Sequence, residues 1–235
     1  MTLFVVTIGF EEKFAVRMIT RHGLDRGDRI LLATGPPAPQ SDRVIGFLTD
    51  FVTRYYGSDV GVKVLHLNPA EGFESMVQSI VQAVRAAAGE GERVVFNLSG
   101  GMRSICIAAL LAAQLLASSG ASVEAELETE DSSTLLSVPT PLLQLPRVAR
   151  ELTPEKIEIL QALSKREATV KKLSQQLGRD ESTLARHIRA LASLNLLQPQ
   201  TPRPTAYKAT QLALLIAETL NPKNRGKLRK DNGKV

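Results

Sequence analysis

The sequence has a single cysteine, no basic-then-apolar leader at its N-terminus and no apolar stretch long enough to span a membrane. With one thiol, Cys106 cannot form a disulfide within the chain, and its apolar helical surroundings favour a small buried side chain over a reactive one. A membrane span needs about 20 consecutive apolar residues. These absences predict an intracellular, soluble, cytoplasmic protein with no membrane partner.

Several cofactor and catalytic signatures are also missing. Neither Gly-x-Gly-x-x-Gly nor Gly-x-x-x-x-Gly-Lys-[Ser/Thr] occurs, so the chain carries no dinucleotide fingerprint and no P-loop. The apolar strand that ends at Thr34 is not followed by the acidic residue that binds a ribose diol. The three histidines, His22, His66 and His187, lack metal-ligand spacing, and no Ser–His–Asp arrangement can be proposed. We therefore predict no metal, no cofactor and no catalytic residues.

The charge is divided unevenly along the chain. Residues 1–150 contain 13 Lys and Arg against 16 Asp and Glu, a net charge of −3, whereas residues 151–235 contain 16 against 8, a net charge of +8. An acidic first part and a basic last part indicate two domains with different partners. The basic part is the candidate for binding nucleic acid.

Strand-like and helical segments alternate over the first part of the chain. The predicted strands cover residues 3–8, 29–34, 62–67 and 93–98, and each precedes a helical segment, while residues 121–129 and 133–138 are predicted to pair as a hairpin-like edge. This alternation predicts an α/β, Rossmann-like fold with a mostly parallel sheet and right-handed crossovers. With the strand order 3-2-1-4, the loops after the first and fourth strands face each other where such sheets bind ligands.

The loop after the fourth strand, NLSGGMR, is the strongest candidate for a ligand site. Its two glycines allow the backbone to approach a ligand closely, and amides at the start of the following helix can donate to phosphate oxygens. Asn97, Ser99 and Arg103 add an amide, a hydroxyl and a guanidinium suited to phosphate. A tight strand-to-helix turn with incidental polar residues is the alternative. In the loop after the first strand, Gly9 and Phe10 offer backbone amides and an aromatic face for base stacking.

The basic part follows a proline-rich segment, residues 139–154, that is predicted to be a linker. A short helix, a turn at Gly178 and a second helix capped by Asp180 form the pattern of a helix-turn-helix, and residues 198–209 would form a β-hairpin wing. The residues expected to contact DNA lie on the polar face of the second helix and on the wing: Ser182, Thr183, Arg186, Arg189, Arg203 and Lys208. A small helical dimerisation or docking domain is the alternative. The last residues, 223–235, are predicted to be a basic, disordered tail.

Together these segments resemble the CRISPR-associated Rossmann-fold (CARF) regulators, and most closely the archaeal type I-A regulators that join a CARF domain to a winged helix. The family's second-loop pattern is [Asp/Asn]-x-[Ser/Thr]-Gly-Gly-x-[Lys/Arg], and the whole of it is met by Asn97, Leu98, Ser99, Gly100, Gly101, Met102 and Arg103. From the looser first-loop motif only Gly9 and Phe10 carry over. The resemblance implies a CARF domain at 1–138, a linker at 139–152 and a winged helix-turn-helix domain at 153–222.

The resemblance also implies partners. It implies a homodimer formed through the CARF domains, a cyclic oligoadenylate ligand, with cyclic tetra-adenylate as the expected ring, and double-stranded promoter or operator DNA. The leading hypothesis is a ligand-responsive transcription regulator of CRISPR loci. Two alternatives stay open: a ring nuclease that cleaves the ligand, and a regulator that senses another nucleotide. Because an arginine cannot act as a base at ordinary pH, Arg103 at the end of the motif argues against cleavage.

Overall fold

The computed structural model describes residues 1–200 and 204–220. It divides into two compact units, one from Met1 to Leu143 and a second that begins at Gln144. The division falls between two short helices, α5 (Thr140–Leu143) and α6 (Leu145–Glu151). Residues 139–152, predicted as a linker, are therefore largely helical: α5 packs in the first unit and α6 belongs to the second.

The first unit is built on a six-stranded sheet. Its strands are β1 (Thr2–Thr7), β2 (Arg29–Thr34), β3 (Gly61–His66), β4 (Arg93–Asn97), β5 (Ser122–Glu128) and β6 (Leu135–Ser137). The helices that follow the first four strands are α1 (Lys13–His22), α2 (Pro39–Tyr56), α3 (Gly72–Ala87) and α4 (Arg103–Ser118), with a short 3-10 helix at Pro69–Glu71. The strand order is β3-β2-β1-β4-β5-β6, and every neighbouring pair is parallel except β5 and β6.

Helices cover both faces of the central strands, so the strands are apolar runs rather than alternating ones. Alternate residues of β1 enter two cores: Phe4 and Val6 pack with α1 and α2, and Leu3 and Val5 pack with α3 and α4. The side of α4 that faces the sheet is lined by alanines, all fully buried: Ala108, Ala109, Ala112 and Ala113. These elements confirm the predicted α/β class, the 3-2-1-4 order and the antiparallel edge.

The second unit combines helices with a small sheet. After α6 come α7 (Pro154–Ala162), β7 (Ala168–Thr169), α8 (Val170–Leu177), α9 (Glu181–Ser193), β8 (Leu197–Pro199), β9 (Ala206–Ala209) and α10 (Gln211–Leu220). The described strands form an antiparallel sheet in the order β7-β9-β8. Helices α8 and α9 with the β8–β9 hairpin give the predicted helix-turn-helix and wing. Arg203 and the tail from residue 223 lie outside the described residues.

Candidate ligand cleft and nucleic-acid interface

An open cleft of about 720 Å³ lies at the carboxyl ends of β1, β2 and β4. Its walls are the loops between β1 and α1, β2 and α2, and β4 and α4, together with Glu130 from the turn between β5 and β6. It brings together eight of the nine predicted ligand residues: Gly9, Phe10, Leu98, Ser99, Gly100, Gly101, Met102 and Arg103. The cleft occupies the place where a doubly wound sheet binds its ligand.

The glycines of the two loops serve a packing role that the sequence did not reveal. A Cβ at Gly9 would lie 3.0 Å from the Cα of Gly101, and one at Gly100 would lie 2.9 Å from the carbonyl oxygen of Thr7. Gly101 also has φ +91°, and a Cβ there would lie 2.8 Å from the carbonyl oxygen of Ile8. The loops after β1 and β4 therefore touch backbone to backbone, and only glycine permits this approach.

Asn97, the ninth predicted ligand residue, lies behind the cleft rather than in it. Its side chain is buried, donates from Nδ2 to Glu126 at 3.1 Å and accepts the amide of Ser99 at 3.3 Å. Arg21 and His22 of α1 hold the same carboxylate at 2.6 and 3.1 Å. Burial raises the pKa of Glu126, but the hydrogen bonds from Asn97, Arg21 and His22 outweigh it and leave that pKa below its usual value. We therefore assign Asn97 to positioning the loop.

The Ser99 hydroxyl joins the loop to the neighbouring strand. Its Oγ accepts the backbone amide of Glu128 at 2.8 Å, which ties the loop to the end of β5. Because a hydroxyl can donate as well as accept, the proton of Ser99 remains able to bond a ligand oxygen. Ser99 therefore both fixes the loop and lines the cleft.

Arg103 is the first residue of α4 and is exposed at the cleft. Among the described residues, no side chain caps the start of this helix. The first amides and the positive end of the helix dipole are thus available to an anion beside the guanidinium. Phe10 is 64% exposed in the opposite loop, so its aromatic face is open to a ligand in the cleft.

The cleft residues that were not predicted as ligand residues include one thiol and two carboxylates, those of Cys106, Glu11 and Glu130. The thiol of Cys106 donates to the carbonyl oxygen of Gly100 at 3.1 Å, and burial raises its pKa, so it acts as a loop tie rather than a nucleophile. Glu11 pairs with Lys13 at 2.9 Å. Because a turn between two strands gives no sequence signal of its direction, Glu130 could be found only from the structure.

The outer side of α4 carries an apolar stripe, formed by Ile107, Leu111 and Leu115. These side chains are 49%, 39% and 57% exposed, whereas the opposite side of the helix is buried against the sheet. The spacing i, i+4, i+8 places them on one face. Ile107 also lines the cleft, so the stripe begins at the ligand site. An exposed apolar face of this kind marks an interaction surface.

In the second unit, α9 presents the predicted polar face. Leu184, Ile188 and Leu191 are buried, whereas Ser182, Arg186, Arg189 and Ser193 are exposed on the other side of the helix. This division is what a recognition helix needs in order to enter a major groove.

Two further predicted DNA contacts, Thr183 and Lys208, lie at the start of α9 and on the wing. Asp180 caps the helix by accepting the amide of Thr183 at 3.0 Å. Lys208 is exposed on β9. Two exposed lysines at the start of α8, Lys171 and Lys172, were not predicted, and the first helix of such a motif crosses the DNA backbone. We therefore add both lysines to the candidate interface.

Within the part of the chain that the structure describes, no helix is both long and apolar enough to cross a membrane.

Two protein families match different parts of the chain. Residues 2–139 match the family described as Csa3 CRISPR-associated Rossmann-like domain. Residues 153–198 match the bacterial regulatory protein, arsR family. The first match covers most of the unit that holds the cleft, and the second covers the helix-turn-helix and the first strand of the wing up to residue 198.

Among curated proteins, a CRISPR locus-related protein, Csa3 of Thermoproteus tenax, is 28% identical over 92% of this chain and 95% of its own length. A protein of Archaeoglobus fulgidus is 24% identical over 72% of this chain and 75% of its own length. Among solved structures, Enterococcus italicus Csm6 bound to cyclic hexa-2′-fluoro-hexa-dAMP is 10% identical, with a TM-score of 0.46 over 68% of this chain and 46% of that chain. The chain therefore belongs to the Csa3 family, with a CRISPR-associated Rossmann-like domain followed by a helix-turn-helix domain.

Proposed function

We propose that the protein is a CRISPR-associated, DNA-binding transcription regulator that senses a cyclic oligoadenylate, with cyclic tetra-adenylate as the expected ring and no other cofactor. The observation that carries this proposal is the cleft in which the start of α4, Arg103 and Phe10 converge, on the same chain as a helix-turn-helix. The cytoplasmic location expected from the sequence stays a prediction.

The cleft suits the chemistry of such a ring. Phosphates are bound by a planar guanidinium and by free helix amides, and both are present at Arg103. A purine base stacks on an aromatic ring, and Phe10 offers an exposed one in the facing loop. A ligand with alternating phosphates and adenines can therefore use both walls of the cleft.

The apolar stripe on α4 supports a homodimer. A two-fold axis at this stripe would bury Ile107, Leu111 and Leu115 against their own copies, which is the arrangement of an isologous interface. Because Ile107 belongs to both the stripe and the cleft, the same axis would bring two clefts together. Two copies of one half-site then match a ring with two-fold symmetry.

The experiment that tests the ligand is a calorimetric titration of the protein with cyclic tetra-adenylate, with the ring followed by chromatography. We expect saturable binding and an intact ring. Arg103→Ala should weaken the affinity by about 10- to 150-fold, since losing a hydrogen bond to a charged group costs about 1.5–3 kcal/mol. Arg85→Ala, an exposed arginine near the end of α3, should bind as the parent protein does.

Each other outcome has a definite meaning. A linear product would identify a ring nuclease. Displacement by ATP or NAD at comparable concentrations would identify a sensor of another nucleotide. Equal affinities for the parent protein and Arg103→Ala, with both folded, would remove Arg103 from the site.

The DNA interface gives a second prediction. Arg186 is exposed in the middle of the polar face of α9, so Arg186→Ala should reduce binding to the operator. If the side chain reads a guanine, discrimination against the altered base pair should fall by about 1–3 kcal/mol. If it contacts phosphate, the affinity should fall evenly across sequences and the salt slope should flatten by about one.

A mobility-shift titration over several salt concentrations measures both quantities, and Arg85→Ala is again the control. If Arg186→Ala changes neither the discrimination nor the salt slope, α9 is not the reading helix.

A further inference from the structure

We propose that Glu130 determines ligand specificity: its carboxylate accepts a hydrogen bond from a neutral donor of the bound nucleotide, either the exocyclic amine of the base or a ribose hydroxyl. The inference rests on the proposed function and deepens it, because it names a second group that the cleft recognises. The residue lines the cleft from the turn between β5 and β6, outside the sequence motif that carries Arg103.

The acidic side chains near the end of β5 have different partners. Glu126 is bonded by Arg21 at 2.6 Å, and Glu128 is bonded by Arg17. Glu130 lies two residues further on and is exposed, and no ion pair to it is found within residues 1–200 and 204–220. Its carboxylate is therefore available to a ligand, unlike the two before it.

The turn that carries Glu130 is held in place by its neighbours. One carboxylate oxygen of Asp131 accepts the Thr129 hydroxyl at 2.6 Å and the amide of Ser133 at 3.0 Å. These bonds lower the pKa of Asp131 to about 2. Arg17 of α1 also reaches the carbonyl oxygen of Ser132, at 3.4 Å. A turn that is already ordered loses little entropy when a ligand binds, so a hydrogen bond that Glu130 accepts from the ligand adds to affinity.

Charge decides what Glu130 can bind. A carboxylate at neutral pH only accepts hydrogen bonds, and it repels a phosphate. The phosphates of the ligand belong beside Arg103 and the start of α4. Glu130 on the same cleft must then face the uncharged part of the ligand, where each 3′–5′-linked adenosine of the ring keeps two kinds of donor, the 6-amino group and the 2′-hydroxyl. The pair Arg103 and Glu130 thus orients the ligand, because the reverse orientation places phosphate against carboxylate.

The test is a cycle of protein and ligand changes measured by calorimetry. The ligands are cyclic tetra-adenylate, its analogue without the 2′-hydroxyls, and its analogue with purine in place of adenine, which lacks the 6-amino group. The proteins are the parent, Glu130→Ala, Glu130→Gln and, as a control, Glu90→Ala, whose side chain is exposed before the start of β4.

We expect the parent protein to lose about tenfold or more in affinity for one of the two analogues. Glu130→Ala should bind cyclic tetra-adenylate more weakly than the parent protein by a similar factor. It should bind that analogue no more weakly than it binds cyclic tetra-adenylate, because the Glu130 carboxylate and the missing donor form one hydrogen bond. The affinity of Glu130→Gln, which keeps one acceptor oxygen, should lie between those of the parent protein and Glu130→Ala. Glu90→Ala should bind as the parent protein does. The analogue that shows coupling names the donor.

The inference is wrong if Glu130→Ala binds cyclic tetra-adenylate as the parent protein does, or if it keeps the parent's losses for both analogues. In either case the parent protein still binds the ring, so the proposed function stands. If the parent protein does not bind cyclic tetra-adenylate at all, the proposed function fails first, and the inference fails with it.

Discussion

Replacing Leu115 by glutamate is expected to convert the proposed dimer into monomers and to abolish tight ligand binding. Leu115 is the most exposed residue of the α4 stripe, so the change should leave the fold of the single chain intact. At a two-fold interface it places two carboxylates in apolar contact, and an uncompensated buried charge costs about 3–5 kcal/mol. The dimer dissociation constant should rise by about 100-fold or more, and ligand affinity should fall with it because each chain supplies half of the site.

Size-exclusion chromatography with light scattering detection measures the molar mass of the eluting protein and therefore its oligomeric state. The mass should change from twice the chain mass of 25.5 kDa to a single chain. Tyr55→Glu is the matched control: it is 68% exposed on α2, a helix that packs in the other core of the sheet from α4. If Leu115→Glu remains a dimer, the stripe on α4 is not the interface.

Much of the first unit follows from its sequence. The apolar runs that became β1, β2 and β4 have a pattern typical of strands buried on both faces, and each ends at a turn signal. Their alternation with helical segments fixes parallel pairing, and the motif loop then falls at the ligand edge of the sheet. The sequence pattern was sufficient to predict these strands and helices because the local preference of each segment agrees with the fold of the whole unit.

The details of the site depend on contacts that are distant in sequence. Asn97 was predicted to contact the ligand because amides commonly do, but a carboxylate 29 residues later holds it behind the loop. Glu130 approaches the cleft only because β5 lies next to β4. Pro141 and Pro146 of the predicted linker lie in the first turns of two short helices instead, where proline is tolerated because those amides have no partner within the helix. The placements of Asn97 and Glu130 have no signal within one segment of the sequence.

The second large effect concerns coupling between ligand and DNA. In the first unit α4 begins at the cleft with Arg103, and it contacts α5, where Gln114 donates to the carbonyl oxygen of Leu142 at 3.1 Å. Leu143, the last residue of α5, is fully buried in the same core as α4. A single residue, Gln144, then separates α5 from α6 in the second unit. A shift of α4 on ligand binding would therefore reach Leu143, from which the chain enters α6 of the second unit through Gln144.

The consequence for DNA follows from the geometry of half-sites. Paired recognition helices must dock about 34 Å apart or at multiples of this distance, so a modest change in their placement alters how well both bind. A ligand that favours one arrangement shifts DNA affinity by its differential binding energy, typically about 1–3 kcal/mol. This corresponds to a change of about 5- to 150-fold, and DNA must change ligand affinity by the same factor.

The most direct test of this account is the affinity of the protein for its operator, measured with and without saturating cyclic tetra-adenylate at one fixed salt concentration. A sensor of this ring should show a change of about 5- to 150-fold between the two conditions. Arg103→Ala should show a much smaller change at a ligand concentration that saturates the parent protein but lies well below the dissociation constant of the variant. Identical operator affinities with and without the ring, in a protein that demonstrably binds it, would contradict the account, because the two domains would then be tethered but uncoupled.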